Sequence, residues 1–171
     1  MNSKEKISDA IFKNPTTKFH IRELARLTKL NPNTIINITK SFEKEKLVKI
    51  EKKEHITEIL ADTENQLFVD KKRLFNLSQI YKSDLVNFLI KEYSPKAISI
   101  IGSYSKGEDI EKSDIDIVII SEKEKPVNLE KFERLLSRKI HLIITSYKKM
   151  SEEFYINLIN GIILYGYIDK K

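Results

Sequence analysis

The sequence predicts an α+β chain in two parts: three helices and a short hairpin first, then a mixed sheet with flanking helices. Three observations predict it. Apolar residues recur at helical spacing through residues 3–46. Two apolar, β-branched runs, Ile98–Ile101 and Ile117–Ile120, read as strands; a Gly-Ser break ends the first, and Asp114-Ile115-Asp116 leads into the second. Charge is also uneven: the chain carries a net +6, and residues 1–60 hold thirteen Lys/Arg against eight Asp/Glu. The excess of positive charge at that end favours a polyanionic partner for it.

In chain order, Ile7, Ala10 and Ile11 mark a helix over 3–13, stopped by Asn14-Pro15. His20–Lys29 reads as a second helix with Ile21, Leu24, Ala25 and Leu27 on its apolar side. Asn31 or Asn33 caps a third, over Pro32–Lys46. On that helix Ile35, Ile38 and Phe42 face inward, while Asn33, Asn37, Lys40 and Lys44 share a polar face. Asparagine can read adenine edges, and lysine can reach phosphates or guanine. Leu47–Ile50 and Ile56–Leu60, separated by a charged turn, form a hairpin.

Residues 62–94 read as two helices without linker composition, hence a helical connector, and 95–171 as the second domain. Within it follow the strand Ile98–Ile101, the strand beginning at Asp114, a polar loop, a helix over Leu129–Arg138, the strand Ile140–Thr145 and a helix over Ser151–Asn160.

The chemistry-bearing stretch is ISIIGSYSKGEDIEKSDIDIVII, residues 98–120. Alternation on a strand points Asp114 and Asp116 one way and Ile115 and Ile117 the other, with the carboxylates about 6 to 7 Å apart along the chain. Two like charges so placed suit a hard divalent cation, and Mg²⁺ takes one or two carboxylates and completes its shell with water and substrate phosphate. Gly102 lets backbone approach a phosphate, and Ser103 offers a hydroxyl and an N–H to it.

GSYSKGED followed by SDIDIVII resembles the Gly-Ser…Asp-X-Asp signature of the minimal nucleotidyltransferases of the polymerase-β superfamily. The resemblance implies transfer of a nucleoside monophosphate from an NTP, ATP foremost. It implies that Asp114 and Asp116 are the catalytic, metal-binding pair for Mg²⁺ (or Mn²⁺), and that Gly102, Ser103 and Lys106 bind the nucleotide. The family usually carries a third carboxylate on a later strand. Here that position falls on His141, which reads as a base, a ligand for a softer metal such as Mn²⁺, or a histidine on the rim of the site. Some family members act as antitoxins that modify a HEPN-type toxin, so a protein acceptor of that kind is within the reading.

HIRELARLTKL and NPNTIINITKSFEKEKLVKIEK are similar to the winged helix-turn-helix domains of many bacterial and archaeal regulators. That resemblance implies DNA as a partner of Asn33, Asn37, Lys40 and Lys44, or a protein-docking module, and a homodimer on symmetric DNA. Two functional classes follow. One is a Mg²⁺-dependent nucleotidyltransferase with a winged helix that localises it. The other is a DNA-binding regulator whose nucleotidyltransferase fold only binds nucleotide or mediates association.

The totals exclude other chemistries. The absence of cysteine removes disulfides and thiolate metal sites, and three scattered histidines argue against zinc. No apolar run is long enough to span a membrane and MNSKEKISDA lacks a signal-peptide core, so a cytoplasmic setting is expected.

Overall fold

The computed structural model describes residues 2–54 and 56–169. The chain divides into two compact units, Met1–Phe75 and Asn76–Lys171. The first begins with α1 (Ser3–Lys13), where Asn2 and Glu5 cap the N-terminus reciprocally, each side chain accepting from the other's backbone N–H at 2.9 Å. A two-residue strand, β1 (Phe19–His20), leads into α2 (Ile21–Thr28) and α3 (Pro32–Lys44). Of the two expected caps it is Asn31 that accepts from the Asn33 N–H, at 2.8 Å, with Pro32 in the first helical position. The hairpin β2 (Val48–Lys53) and β3 (Ile56–Ala61) completes an antiparallel sheet of order β1-β3-β2.

The core of this unit gathers Ile7, Ile11, Leu24, Ile35, Phe42 and Ile59 from all three helices and the sheet. Each buried aliphatic or aromatic side chain of this kind contributes about 1.5–3 kcal/mol. One expected core position is corrected. Leu27 is 56% exposed, and Thr28 is buried in its place. Ile21, Leu24, Ala25 and Thr28 form the i, i+3, i+4, i+7 stripe of α2, and Leu27 lies off it. The Thr28 hydroxyl is satisfied by donating to the Leu24 carbonyl at 2.6 Å, as Thr39 on α3 donates to Ile35 at 2.8 Å.

The division between units falls inside α4 (Gln66–Lys82). Ile80 of α4 and Leu85, Val86, Leu89 and Tyr93 of α5 (Leu85–Tyr93) are core residues of the second unit. Within the stretch expected as a connector, 62–94, residues 66–82 and 85–93 are helical, and the division between the units falls between Phe75 and Asn76.

The second unit is a four-stranded mixed sheet of order β6-β5-β4-β7. It comprises β4 (Ala97–Ile101), the short α6 (Gly102–Lys106), β5 (Ile115–Ile120), α7 (Glu130–Leu136), β6 (Ile140–Thr145), α8 (Glu152–Ile159) and β7 (Ile162–Gly166). β4 runs antiparallel to β5 and β7, and β5 runs parallel to β6. Alternation gives the sheet two cores. Ile98, Ile100, Ile115, Ile117 and Ile119 pack with α5 and α7, and Val118 and Ile120 pack with Leu158 of α8. Among the described residues, no helix is long and apolar enough to cross a membrane.

Candidate active site

The site is built where β4 ends and β5 begins. Strand register sets Ile101 opposite Asp116 on one side and His141 opposite Asp116 on the other. Asp116 therefore sits in the middle of three adjacent strands, on the face of Val118 and Ile120, with its side chain about one-third exposed. Asp114 is exposed and lies in the segment just before β5, not within the strand as the alternation argument had it. That segment is fixed at both ends. Ile110 and Ser113 exchange two hydrogen bonds at 3.0 Å, and the Ile115 N–H donates to the Lys139 carbonyl at 2.8 Å.

The chain leaves β4 through Gly102, whose φ of +71° is a conformation that L side chains rarely adopt. A Cβ on Gly102 would lie 2.7 Å from Asp116 Oδ2. The space between the turn and the carboxylate exists because residue 102 has no side chain. α6 then runs five residues, with Ser105 Oγ donating to the Gly102 carbonyl at 2.7 Å, and ends on Gly107 in the left-handed region. Ser103 is half-buried next to Gly102, and Lys106 at the end of the helix is exposed.

The other carboxylate oxygen has a different neighbour. His141 Nδ1 lies 2.9 Å from Asp116 Oδ1. An ionised carboxylate only accepts, so the histidine nitrogen is the donor. Its ring is 61% exposed. Asp116 thus turns Oδ2 toward the Gly102 turn and Oδ1 toward β6.

A buried polar cluster that residue patterning did not reveal ties the site to α4. Asn76 Nδ2 donates to the Tyr104 carbonyl at 2.9 Å and to Asp109 Oδ1 at 2.6 Å. Asp109 Oδ2 lies 3.7 Å from Arg138 Nη2, with both side chains buried. Burial, and next the Asp109 charge, push the Tyr104 phenol above its ordinary range, against the opposing effect of Arg138. Asp109 belongs to the GSYSKGED phrase, but nothing in the spacing marks it as buried.

A cavity of about 560 Å³ opens beside Asp114, between residues 111–114 and α7, with Lys112, Arg134 and Lys139 at its walls. Its size falls within the ordinary range of small-molecule sites. In the first unit, Asn33, Asn37, Lys40 and Lys44 are all exposed on α3.

Asp116 and the turn could receive a divalent cation, with Asp114 as a second carboxylate donor. Both proposed donors are hard oxygen ligands, and Asp116 Oδ2 faces a gap that any side chain at residue 102 would fill. Among the described residues, no three His, Asp or Glu side chains are grouped to hold a metal ion by themselves. A two-carboxylate Mg²⁺ site completed by substrate phosphate needs no such cage.

β4 ends in the Gly-Ser turn and runs antiparallel to β5, which is entered through Asp114-Ile115-Asp116. Residues 82–165 match the family model described as a nucleotidyltransferase domain. The match covers the site elements from α5 to β7 and supports nucleotidyl transfer as their general activity. No curated protein and no solved structure matches the chain.

Proposed function

We propose that the second unit transfers a nucleoside monophosphate from an NTP, ATP foremost, to a protein or nucleic-acid acceptor. The reading rests on one observation above the others: Asp116 faces a glycine-only turn, within a stretch that matches a nucleotidyltransferase domain. In this reading Gly102 and Ser103 seat the β- and γ-phosphates and Lys106 offsets their charge. Asp114 and Asp116 would hold Mg²⁺, or Mn²⁺. The bound metal would neutralise charge on the phosphates and acidify the attacking hydroxyl. The protein's own contribution is positioning and a fixed electrostatic field. ATP as substrate implies a cytoplasmic setting.

The first unit is read as a winged helix. Its helix order, its three-stranded sheet and the exposed Asn33, Asn37, Lys40 and Lys44 support that reading. It would bring nucleic acid or a protein partner, with DNA the polyanion best suited to those side chains.

A specific observation also favours the second class. His141, where the resemblance puts the family's third carboxylate, pairs with Asp116 in the register of β5 and β6, so the domain is alternatively a nucleotide sensor attached to a DNA-binding module. One experiment separates the two. Purified protein is incubated with Mg²⁺ or Mn²⁺ and each α-labelled NTP, with the Asp114→Ala/Asp116→Ala double variant as control. Label on protein or on added RNA, in wild type only, establishes the transferase. Calorimetric nucleotide binding without transfer establishes the sensor. Neither binding nor transfer would sink both.

A further inference from the structure

We propose that Asp109 and Arg138 are positioning residues: together they fix the segment that carries Asp114, and so set the place of one of the two carboxylates. This rests on the reading of Asp114 and Asp116 as metal ligands and deepens it.

The segment runs from Asp109 to Ile115, between α6 and β5. Both its ends are held by consecutive residues where α7 gives way to β6. At the near end the Asp109 carboxylate, 1% exposed, lies 3.7 Å from the Arg138 guanidinium, 6% exposed. At the far end the Ile115 N–H donates to the Lys139 carbonyl at 2.8 Å. Between them the Ile110–Ser113 turn closes on itself with two hydrogen bonds of 3.0 Å. Asp114 thus stands between a closed turn and an anchored strand, so a shift at residue 109 is passed along to it.

The junction that holds the ends is itself fixed to α7. Glu133 accepts from the Ile140 N–H at 3.1 Å and from Lys139 Nζ at 2.8 Å, and its backbone carbonyl accepts from the Arg138 N–H at 3.2 Å. Asn76 holds the other oxygen of Asp109 at 2.6 Å. Little packing supports the segment from beneath. The cavity of about 560 Å³ lies between residues 111–114 and α7, and its lining is charged or hydroxyl-bearing throughout. A segment over open space takes its position from its ends.

Burial of the pair gives a second argument. Two charges taken out of water return little net stability, and the best-attested use of such a pair is to select one arrangement over others. At 3.7 Å the contact is one of charge and is longer than a hydrogen bond. Groups behind a metal's ligands orient them, and losing such a group costs about 10- to 100-fold in metal affinity. Asp109 and Arg138 stand in that relation to Asp114.

The test separates position from stability. Asp109→Asn/Arg138→Met removes both charges together, and the asparagine still offers Asn76 an acceptor. Its urea midpoint should stay near that of wild type, because no unpaired charge is left buried. Its calorimetric affinity for Mg²⁺ with the α,β-methylene analogue of ATP, which cannot be cleaved at that bond, should nonetheless fall about tenfold or more. Arg138→Lys, which keeps a cation beside Asp109, should bind the analogue better than the double variant. A metal-free arm follows amide hydrogen exchange in ¹⁵N–¹H spectra. In the double variant the Ile115 N–H should exchange faster than in wild type, with that of Ile117 unchanged. Unchanged affinity in the double variant overturns the positioning role, as do unchanged Ile115 exchange and an Arg138→Lys protein that binds no better than the double variant. A strongly lowered urea midpoint in the double variant assigns the pair to stability and overturns it too. A wild type that does not bind the analogue with Mg²⁺ overturns the metal-site reading, and the positioning role with it.

Discussion

Replacing Gly102 with alanine tests the site at its tightest point. Two costs can be worked from the structure. A φ of +71° costs a residue with a Cβ about 1–2 kcal/mol relative to glycine. The new Cβ would stand 2.7 Å from Asp116 Oδ2, so the carboxylate must turn away. Turning surrenders the 2.9 Å hydrogen bond to His141, worth about 1 kcal/mol. The sum is a loss of about 2–3 kcal/mol in the second unit. A double-mutant cycle separates the parts. In an Asp116→Ala background the carboxylate is gone, so Gly102→Ala should cost only the backbone part, leaving a coupling of about 1 kcal/mol. Urea denaturation followed by tyrosine fluorescence suits the measurement. The chain has no tryptophan, and all seven tyrosines lie at or beyond residue 81, so the signal reports the second unit alone. Strict additivity would refute the claim that Gly102 is kept small by Asp116. A cost below about 0.5 kcal/mol would refute the backbone argument as well.

Three further predictions concern other parts of the chain. Asp114→Ala and Asp116→Ala should each abolish metal-dependent nucleotide binding in calorimetry while the circular dichroism spectrum is kept; unchanged binding would count against the site. Asn76→Ala should destabilise the second unit by about 1–3 kcal/mol, because it strips donors from the buried Tyr104 carbonyl and Asp109 carboxylate; a urea midpoint equal to wild type would contradict this. Hydrogen bonds from Lys4, at 2.8 Å, and Lys71, at 3.1 Å, hold Glu45 down to about 2 from 4.5. Its folded-state value is depressed, so its stabilising effect is complete above about 4.5 and is lost as pH falls toward 2. Glu45→Gln should therefore flatten the acid limb of the first unit's stability between those values, read by circular dichroism; an unaltered limb would exclude the linkage.

Much of the fold was legible because period and punctuation agreed. The third helix was readable because Ile35, Ile38 and Phe42 repeat at helical spacing behind an Asn-Pro cap, and the structure ends it at Lys44. The sheet was readable because IVII, residues 117–120, is short and β-branched and follows Asp116 directly. Leu27 misled because hydrophobicity alone does not say which side of a short helix is buried, and the stripe that wins includes Thr28. The start of the second unit was illegible for a related reason. Helical periodicity in 62–94 identifies helices but not the core they join, and Leu85, Leu89 and Tyr93 settle that only through contacts with distant strands. The Asn76–Asp109–Arg138 cluster was invisible because its members are far apart in sequence and each is of a type usually exposed.

His141 is the most instructive case, because its place in the sequence was readable and its neighbour was not. The sequence places a histidine near the start of a strand; only the parallel pairing of β5 with β6 brings it level with Asp116. A one-residue slip in that register would set Ile140 or Leu142 opposite Asp116 and leave the histidine on the other face. The register is held by Ile115, Ile117 and Ile119, which must keep facing α5 and α7, and by the Ile115 N–H bond to the Lys139 carbonyl. The same apolar alternation that builds the core therefore fixes which side chains meet around Asp116. It follows that a core substitution that loosens β6, such as Ile144→Ala, should act on the site through register. The 2.9 Å contact of His141 with Asp116 would loosen, read as a shift of the His141 ring signals in ¹³C–¹H spectra, although residue 144 faces the core of the sheet and not the carboxylate. Unaltered His141 ring signals in that variant would mean that Asp116 and His141 hold each other without help from the sheet.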